Sequence, residues 1–362
     1  MRKIKILLVS LLMYFVLNYA FSVIISEYGY NVPVAFSNSL PNQVDYESDN
    51  FTFYQVLFFP DVNSTSELLH ILVNDDVDSV KCAFYDMDDY FLNLLANESL
   101  KYDEDIYYDI VMFSPNKKHI DVLKDSNDDH FDLNIGNIDV SLNLVIKSMG
   151  LMHNKFCIID DSMLVTGSLN PTYNGLNRNN NNVFVINSKM LTENYIEEFN
   201  ELKQGNEIHK VLHPKINLCS SDDCFMIENY FCPEDSCESN VINQINNASK
   251  DIQFYHFSFT SDNIADSMIL KSTNVSIQGI LEKTQISQYS VKSKLEKFVN
   301  ISMDNNKYKM HHKVFIIDDS VIMGSYNPTN NGNKYNDENI LIIHDSNITS
   351  LYLQEFYELL HK

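Results

Sequence analysis

The residues best suited to chemistry in this chain occur twice, in the same order. The first set is His153, Lys155, Asp160, Gly167, Ser168 and Asn170; the second is His311, Lys313, Asp318, Gly324, Ser325 and Asn327. In each, a His and a Lys stand two positions apart, so on an extended strand, where side chains alternate, imidazole and ammonium project from one face. The apolar run that follows, FCII or VFII, reads as a buried strand; Asp-Asp-Ser reads as a turn, and a second apolar run leads to Gly-Ser-x-Asn. Each copy is therefore expected to be a hairpin with a reactive pair at its start and an amide at its end. Two imidazoles, two ammoniums and two amides converging on one point suit phosphodiester hydrolysis without a metal or other cofactor. Cations and amides hold the phosphate, one neutral imidazole attacks phosphorus, and the other, protonated, serves as general acid.

A lone His-x-Lys says almost nothing, because a half-buried His beside a solvated Lys is common. The whole string H-x-K-x4-D-x6-G-S-x-N, repeated with one residue fewer between Asp318 and Gly324, resembles the HKD signature of the phospholipase D superfamily in its two-motif form. The resemblance covers nearly everything after residue 50. It implies an α/β fold of two pseudo-twofold-related α/β/α sandwich halves, each with a central mixed sheet, meeting at the hairpins as an intramolecular pseudodimer. It also implies a phosphohistidine intermediate, with Lys155 and Lys313 supplying charge and Asn170 and Asn327 supplying donors. Ser168 and Ser325 are expected to tie the loop to the phosphate or to each other. Asp160 and Asp318, at the strand end remote from the His, are expected to set the hairpin turn. Family members commonly carry a carboxylate beyond Gly-Ser-x-Asn that bonds the catalytic His. Glu338 matches it, and Asn181 stands at the parallel position of the first copy. Pairing Glu338 with His311 of its own copy makes His311 the general acid and His153 the nucleophile, since a carboxylate favours imidazolium. The missing residue would reverse the facing of the second strand unless a shorter turn absorbs it, as expected here.

Around these hairpins, VLFFPDVNSTSELLHIL from Val56 parallels NYFCPEDSCESNVINQI from Asn229, each a strand, a Pro turn and a helical pattern. After each hairpin come a strand and an amphipathic helix, IEEFNELK from Ile196 or YLQEFYELLHK from Tyr352. The halves are therefore placed at 51–203 and 225–362, joined by 204–224. Residues 27–50, with Pro33 and Pro41, read as a linker, and 1–26 as a signal peptide or signal anchor, three basic residues preceding a long apolar stretch. That predicts a secreted or membrane-anchored protein with its catalytic part lumenal or extracellular; anchoring in a mitochondrial outer membrane is the alternative. Sequons at Asn50, Asn63, Asn97, Asn247, Asn274, Asn300 and Asn347 agree with a secretory route. Cys82 and Cys157 lie in apolar runs and are expected to be inert buried thiols. Cys219, Cys224, Cys232 and Cys237 are expected to form one or two disulfides, with free thiols or a four-thiolate zinc site as alternatives.

The formal net charge is -23, from 49 acidic and 26 basic residues. Nucleic-acid binders usually present a basic footprint, and none is visible, which disfavours long duplex DNA. The expectation is therefore a phospholipase D-type hydrolase acting on phospholipid or at a membrane surface. A single-strand nuclease of the secretory or lysosomal lumen is the first alternative, and a catalytically inactive binding module the second. Aromatic segments such as DDYFLNLL and FYHFSF are expected to fill the core rather than touch acyl chains or bases. No obligate protein partner is expected.

Overall fold

Alternation of apolar strands with capped amphipathic helices produces the same succession of elements twice. The computed structural model describes residues 47–361 apart from 103–104, 206–209 and 222. The expected signal segment and most of the expected linker lie outside the described residues. In chain order the first elements are β1 (Glu47–Asn50), β2 (Tyr54–Phe59), α1 (Val62–Leu72), β3 (Ser79–Phe84), α2 (Asp89–Ser99), β4 (Ile106–Phe113), β5 (His130–Ile135), β6 (Ile138–Val145), β7 (Lys155–Ile159), β8 (Met163–Gly167), α3 (Tyr173–Asn177), β9 (Asn181–Asn187) and α4 (Lys189–Gln204). Then follow β10 (Lys215–Cys219), β11 (Cys224–Cys232), α5 (Cys237–Asn247), β12 (Asp251–His256), α6 (Asp262–Lys271), β13 (Ser276–Leu281), α7 (Lys292–Leu295), β14 (Asn300–Met303), β15 (Lys313–Ile317), β16 (Ser320–Gly324), α8 (Asn330–Lys334), β17 (Glu338–His344) and α9 (Ser346–His361).

Helix starts follow the caps in the sequence. The side chains of Asp61, Asp88, Ser188 and Ser261 accept backbone N–H groups in the first turns of α1, α2, α4 and α6. Helix α4 ends at Gly205, whose φ of 64° is left-handed. The strands form two mixed sheets, ordered β2-β9-β8-β7-β3-β4-β6-β5 and β1-β10-β11-β17-β16-β15-β12-β13-β14. From β2 to β4 the first order repeats in the second as β11-β17-β16-β15-β12-β13, so the duplication is one of topology as well as of motif. One core cluster draws Phe156, Tyr195 and Phe199 from the first half and Val314, Tyr352 and Phe356 from the second. The halves therefore share a hydrophobic interior, each such side chain contributing about 1.5–3 kcal/mol relative to exposure.

The hairpins keep one register. Cys157 faces Val165 in the first and Phe315, at the same place in its motif, faces Ile322 in the second. The first turn closes between Ile159 and Met163, the second between Ile317 and Ser320, so the shorter turn absorbs the missing residue. Asp160 and Asp318 adopt φ of 48° and 53°, a left-handed conformation that Asp tolerates. The Asp160 carboxylate accepts the Ser79 N–H at 2.8 Å, and that of Asp318 accepts those of Ser249 and Lys250, both at 2.8 Å. Both aspartates thus pin the turn to the start of a neighbouring strand, far from the His end.

Two expectations change. Residues 47–50, placed in the linker, form β1, which pairs in parallel with β10, itself inside the expected connector. A short polar segment such as ESDN carries no apolar alternation and suits a sheet edge, where little of it must be buried. Cys82 and Cys157, expected as free thiols, are disulfide-bonded, because the register of β3 on β7 sets them directly opposite. Cys219–Cys224 and Cys232–Cys237 are the other two disulfides, which leaves no thiolate for zinc.

Candidate active site

Each motif enters the site clamped to the opposite half. Asp337 N–H donates to Leu151 O and His153 N–H to Asp337 O, both at 2.9 Å; Asn180 N–H donates to Lys309 O at 2.9 Å and His311 N–H to Asn180 O at 2.8 Å. This exchange decides the partners of the two imidazoles. His153 Nδ1 lies 2.7 Å from Glu338 Oε2, and His311 Nδ1 lies 2.9 Å from Asn181 Oδ1. The expected pairing of Glu338 with His311 is therefore wrong. Glu338 serves the His of the other half, because the residue just before it bridges to the strand entering motif 1. Both imidazoles are buried, at 7 and 8% exposure, and line a cleft of about 730 Å³. With Nδ1 engaged in each ring, Nε2 is the nitrogen available to the cleft.

Lys155 and Lys313 lie behind them, each donating to the carbonyl of its own His, at 2.5 and 2.6 Å. Asn170 and Asn327 also line the cleft, and among the described residues the Oδ1 atom of each has no partner. Ser168 and Ser325 are fully buried and do not bond each other. Ser168 Oγ accepts the Asn182 N–H and donates to Asn181 Oδ1, while Ser325 Oγ accepts the Asn339 N–H and bonds Glu338. They tie each Gly-Ser loop to the strand that carries the His partner. The Gly is required there, since a Cβ on Gly167 or Gly324 would come within 2.2 or 2.3 Å of a carbonyl oxygen on that strand.

Burial shifts the two imidazoles, the two motif lysines and Glu338 toward neutrality. It pushes both imidazoles well below the usual histidine range, and the nearby lysines push the same way. Lys155 is lowered to about 7 by burial, against the pull of Glu338 and Asp86. Lys313 is lowered too, by burial and then by Lys155. Glu338 is raised to about 7 by burial, which outweighs Lys155 and Lys313. Such a site can present a neutral imidazole at neutral pH, and an entering phosphate anion would restore the proton that burial disfavours.

Two sets of side chains escaped the sequence reading. Tyr85 packs on His153 and Phe257 on His311, at ring separations of 4.9 and 4.7 Å, with Lys155 and Lys313 over their faces at 5.2 and 5.4 Å. Phe257 belongs to the segment expected to be core; its neighbours Phe254, Tyr255 and Phe259 are core, whereas Phe257 lines the cleft. The second set begins with the residues between His and Lys. Asn154 joins Glu198 and Asn339, both at 2.7 Å. His312 joins Asn182 at 3.0 Å and Glu355 at 3.3 Å. The signal available was that each His partner, Asn181 or Glu338, is followed by an Asn.

The family model described as cardiolipin synthase, PLD-like domain matches residues 100–203 and 241–360, a span that includes both hairpins. Phospholipase D of Rickettsia felis is 27% identical over 157 residues, 41% of this chain and 71% of that protein. The match to its Rickettsia prowazekii counterpart covers 64% of that protein. Mitochondrial cardiolipin hydrolase of Xenopus tropicalis is 34% identical over 58 residues, 16% of this chain and 28% of its own. The solved phosphatidylserine synthase of Haemophilus influenzae superposes on 85% of this chain and 86% of its own with a TM-score of 0.59, at 8% identity, a likeness of fold. Because the family model covers more than half of the chain and takes in both motif-bearing hairpins, this protein belongs to the phospholipase D superfamily.

Proposed function

We propose that this protein hydrolyses the headgroup phosphodiester of phospholipids through a covalent phosphohistidine on His153. The observation that carries the assignment is the 2.7 Å contact of Glu338 with His153 Nδ1. The rule used on the sequence, that the carboxylate's partner is the imidazolium and hence the acid, does not transfer to this pairing. Glu338 accepts the Nδ1–H of a neutral ring, fixes Nε2 as the attacking atom, and stabilises the positive charge that develops as Nε2 bonds phosphorus. His311, oriented by the amide oxygen of Asn181, gives its Nε2 proton to the departing alkoxide once the phosphate anion has raised its affinity for that proton. Water then attacks the phosphohistidine, His311 takes its proton, and phosphatidic acid leaves. Lys155, Lys313, Asn170 and Asn327 hold the nonbridging oxygens, in which charge accumulates.

The net charge of -23 supports lipid over polynucleotide, because a polyanion gains its affinity from cations that this chain has in short supply. The test is parallel turnover of headgroup-labelled phospholipid vesicles and single-stranded oligonucleotides, with His153→Ala as control and acid-free trapping of the phosphoenzyme. Lipid turnover lost in the variant, with label on His153, is the expected result. Label on His311 would reverse the two roles, and oligonucleotide cleavage alone would make the protein a nuclease.

A further inference from the structure

The two motifs are alike, but the two mouths of the cleft they share are not. Each mouth is formed by the residues before a motif Met and the opposite-half loop bridged to it, Asn180 to Met310 at one and Asp337 to Met152 at the other. Counting outward from these bridges, Lys309, Tyr308 and Lys307 stand where Leu151, Gly150 and Met149 stand, and Arg178 stands where Tyr335 does.

At the first mouth the Arg178 guanidinium lies between the rings of Tyr173 and Tyr308, 4.8 and 4.9 Å from their centroids. It donates to Asn174 Oδ1 at 3.0 Å, and Asn174 lines the cleft. Lys307 and Lys309 are exposed, and Lys309 reaches over Phe257 on the cleft wall. A groove of about 310 Å³ opens beside them, bordered by Arg178, Lys307 and Tyr308. The carboxyl group on that groove, Asp304, is buried, and burial pushes it up toward its neutral form. At the second mouth Leu151 lines the cleft, and Met149 and Ile146 beyond it are 58 and 71% exposed. The ammonium of Lys147 is held there by Asp337; Lys334 and Glu234 border the same surface.

The Glu338 and Asn181 partners give the two imidazoles different roles. The chemistry of the mouths agrees with the direction those roles set, the cationic mouth lying beside His311, since a reversed substrate would set its charged end on thioether and alkyl groups and its apolar end among cations. We propose that the cleft binds an amphipathic phosphodiester in one direction only: a headgroup carrying an additional anion at the Arg178, Lys307 and Lys309 mouth, and an acyl chain over Leu151, Met149 and Ile146. This rests on the lipid phosphodiesterase reading above and adds to it the headgroup class and the orientation.

The test compares phosphatidylinositol 4-phosphate with phosphatidylinositol, which differ by one headgroup phosphate, in the same detergent micelles with the full chain. Wild-type protein is expected to favour the phosphorylated lipid in kcat/KM by about tenfold or more, the equivalent of one good charge-assisted contact. The triple variant Arg178→Gln/Lys307→Gln/Lys309→Gln is expected to lose that preference. Ile146→Asp/Met149→Asp should raise KM for the dioleoyl relative to the dihexanoyl lipid. Equal turnover of both lipids by wild type, or a preference that survives the triple variant, overturns the proposal. Bis(p-nitrophenyl) phosphate separates the two levels. If wild type cleaves it in a His153-dependent way but cleaves neither lipid, the directional lipid site is wrong and the phosphodiesterase chemistry stands; if it is not cleaved at all, both fall.

Discussion

Glu338 and Lys155 set opposite ends of one pH window. Glu338 is raised to about 7, so below that pH it takes up a proton and can no longer balance charge on His153. Lys155 is lowered to about 7, so above that pH it loses the charge that holds the phosphate. The acid limb of kcat/KM thus belongs to a carboxylate and the alkaline limb to an ammonium, and activity should follow a narrow bell centred near pH 7. Glu338→Gln should remove the acid limb and cost roughly 10²–10⁴-fold in kcat, as loss of a His-orienting carboxylate does. A pH profile of the two proteins checks both points. An acid limb that persists in the variant would move that ionisation to another group. At the same scale, Asn170→Ala should cost about 10²–10³-fold if, as proposed, its amide N–H donates to a nonbridging oxygen where charge accumulates.

The hairpins show what is legible at the scale of an element. Their strands, their register and the structural role of Asp160 and Asp318 follow from local alternation and turn chemistry, and the structure agrees. Partner exchange between the halves was not legible: Glu338 lies nearer in sequence to His311 than to His153, and only the pseudo-twofold bridges bring it to the latter. The same limit hid Cys82–Cys157, whose residues are 75 positions apart and become neighbours through the register of β3 on β7. The aspartate role carries its own prediction. Burial alone would raise Asp318, yet its pKa is lowered by the N–H groups of Lys250, Ser249 and Asp251 and by the Ser249 hydroxyl. A depressed carboxylate stabilises the fold above its unfolded pKa and loses that contribution as pH falls through the folded value. Asp318→Ala should therefore destabilise the protein at neutral pH by about 0.5–1 kcal/mol, the contacts of this partly exposed turn being screened by solvent, with the difference shrinking in acid. Denaturant midpoints of the two proteins at neutral and acidic pH would reveal it; equal midpoints would mean that the turn holds without its carboxylate.

For the molecule as a whole, we propose that the chain folds in an oxidising lumen, a reading that its surface chemistry and its cysteine chemistry each allow to be tested. All six cysteines are paired, and one pair joins two neighbouring strands within the first sheet. All seven sequon asparagines, Asn50, Asn63, Asn97, Asn247, Asn274, Asn300 and Asn347, are exposed, although many other asparagines of this chain are buried. None of the seven lines the cleft. Glycans at these positions would cover the outer faces of both halves and leave both mouths open. If the chain matures in a secretory lumen, as its basic and apolar N-terminal stretch suggests, the native protein should shift in mass on peptide-N-glycosidase treatment, with Asn converted to Asp at several of these positions. Reductant should lower its denaturant midpoint by an amount corresponding to about 2–4 kcal/mol for the closed loop of the first sheet. Native protein with unmodified asparagines and a midpoint indifferent to reductant would place its folding in a reducing compartment, and the paired cysteines would then contribute packing rather than cross-links.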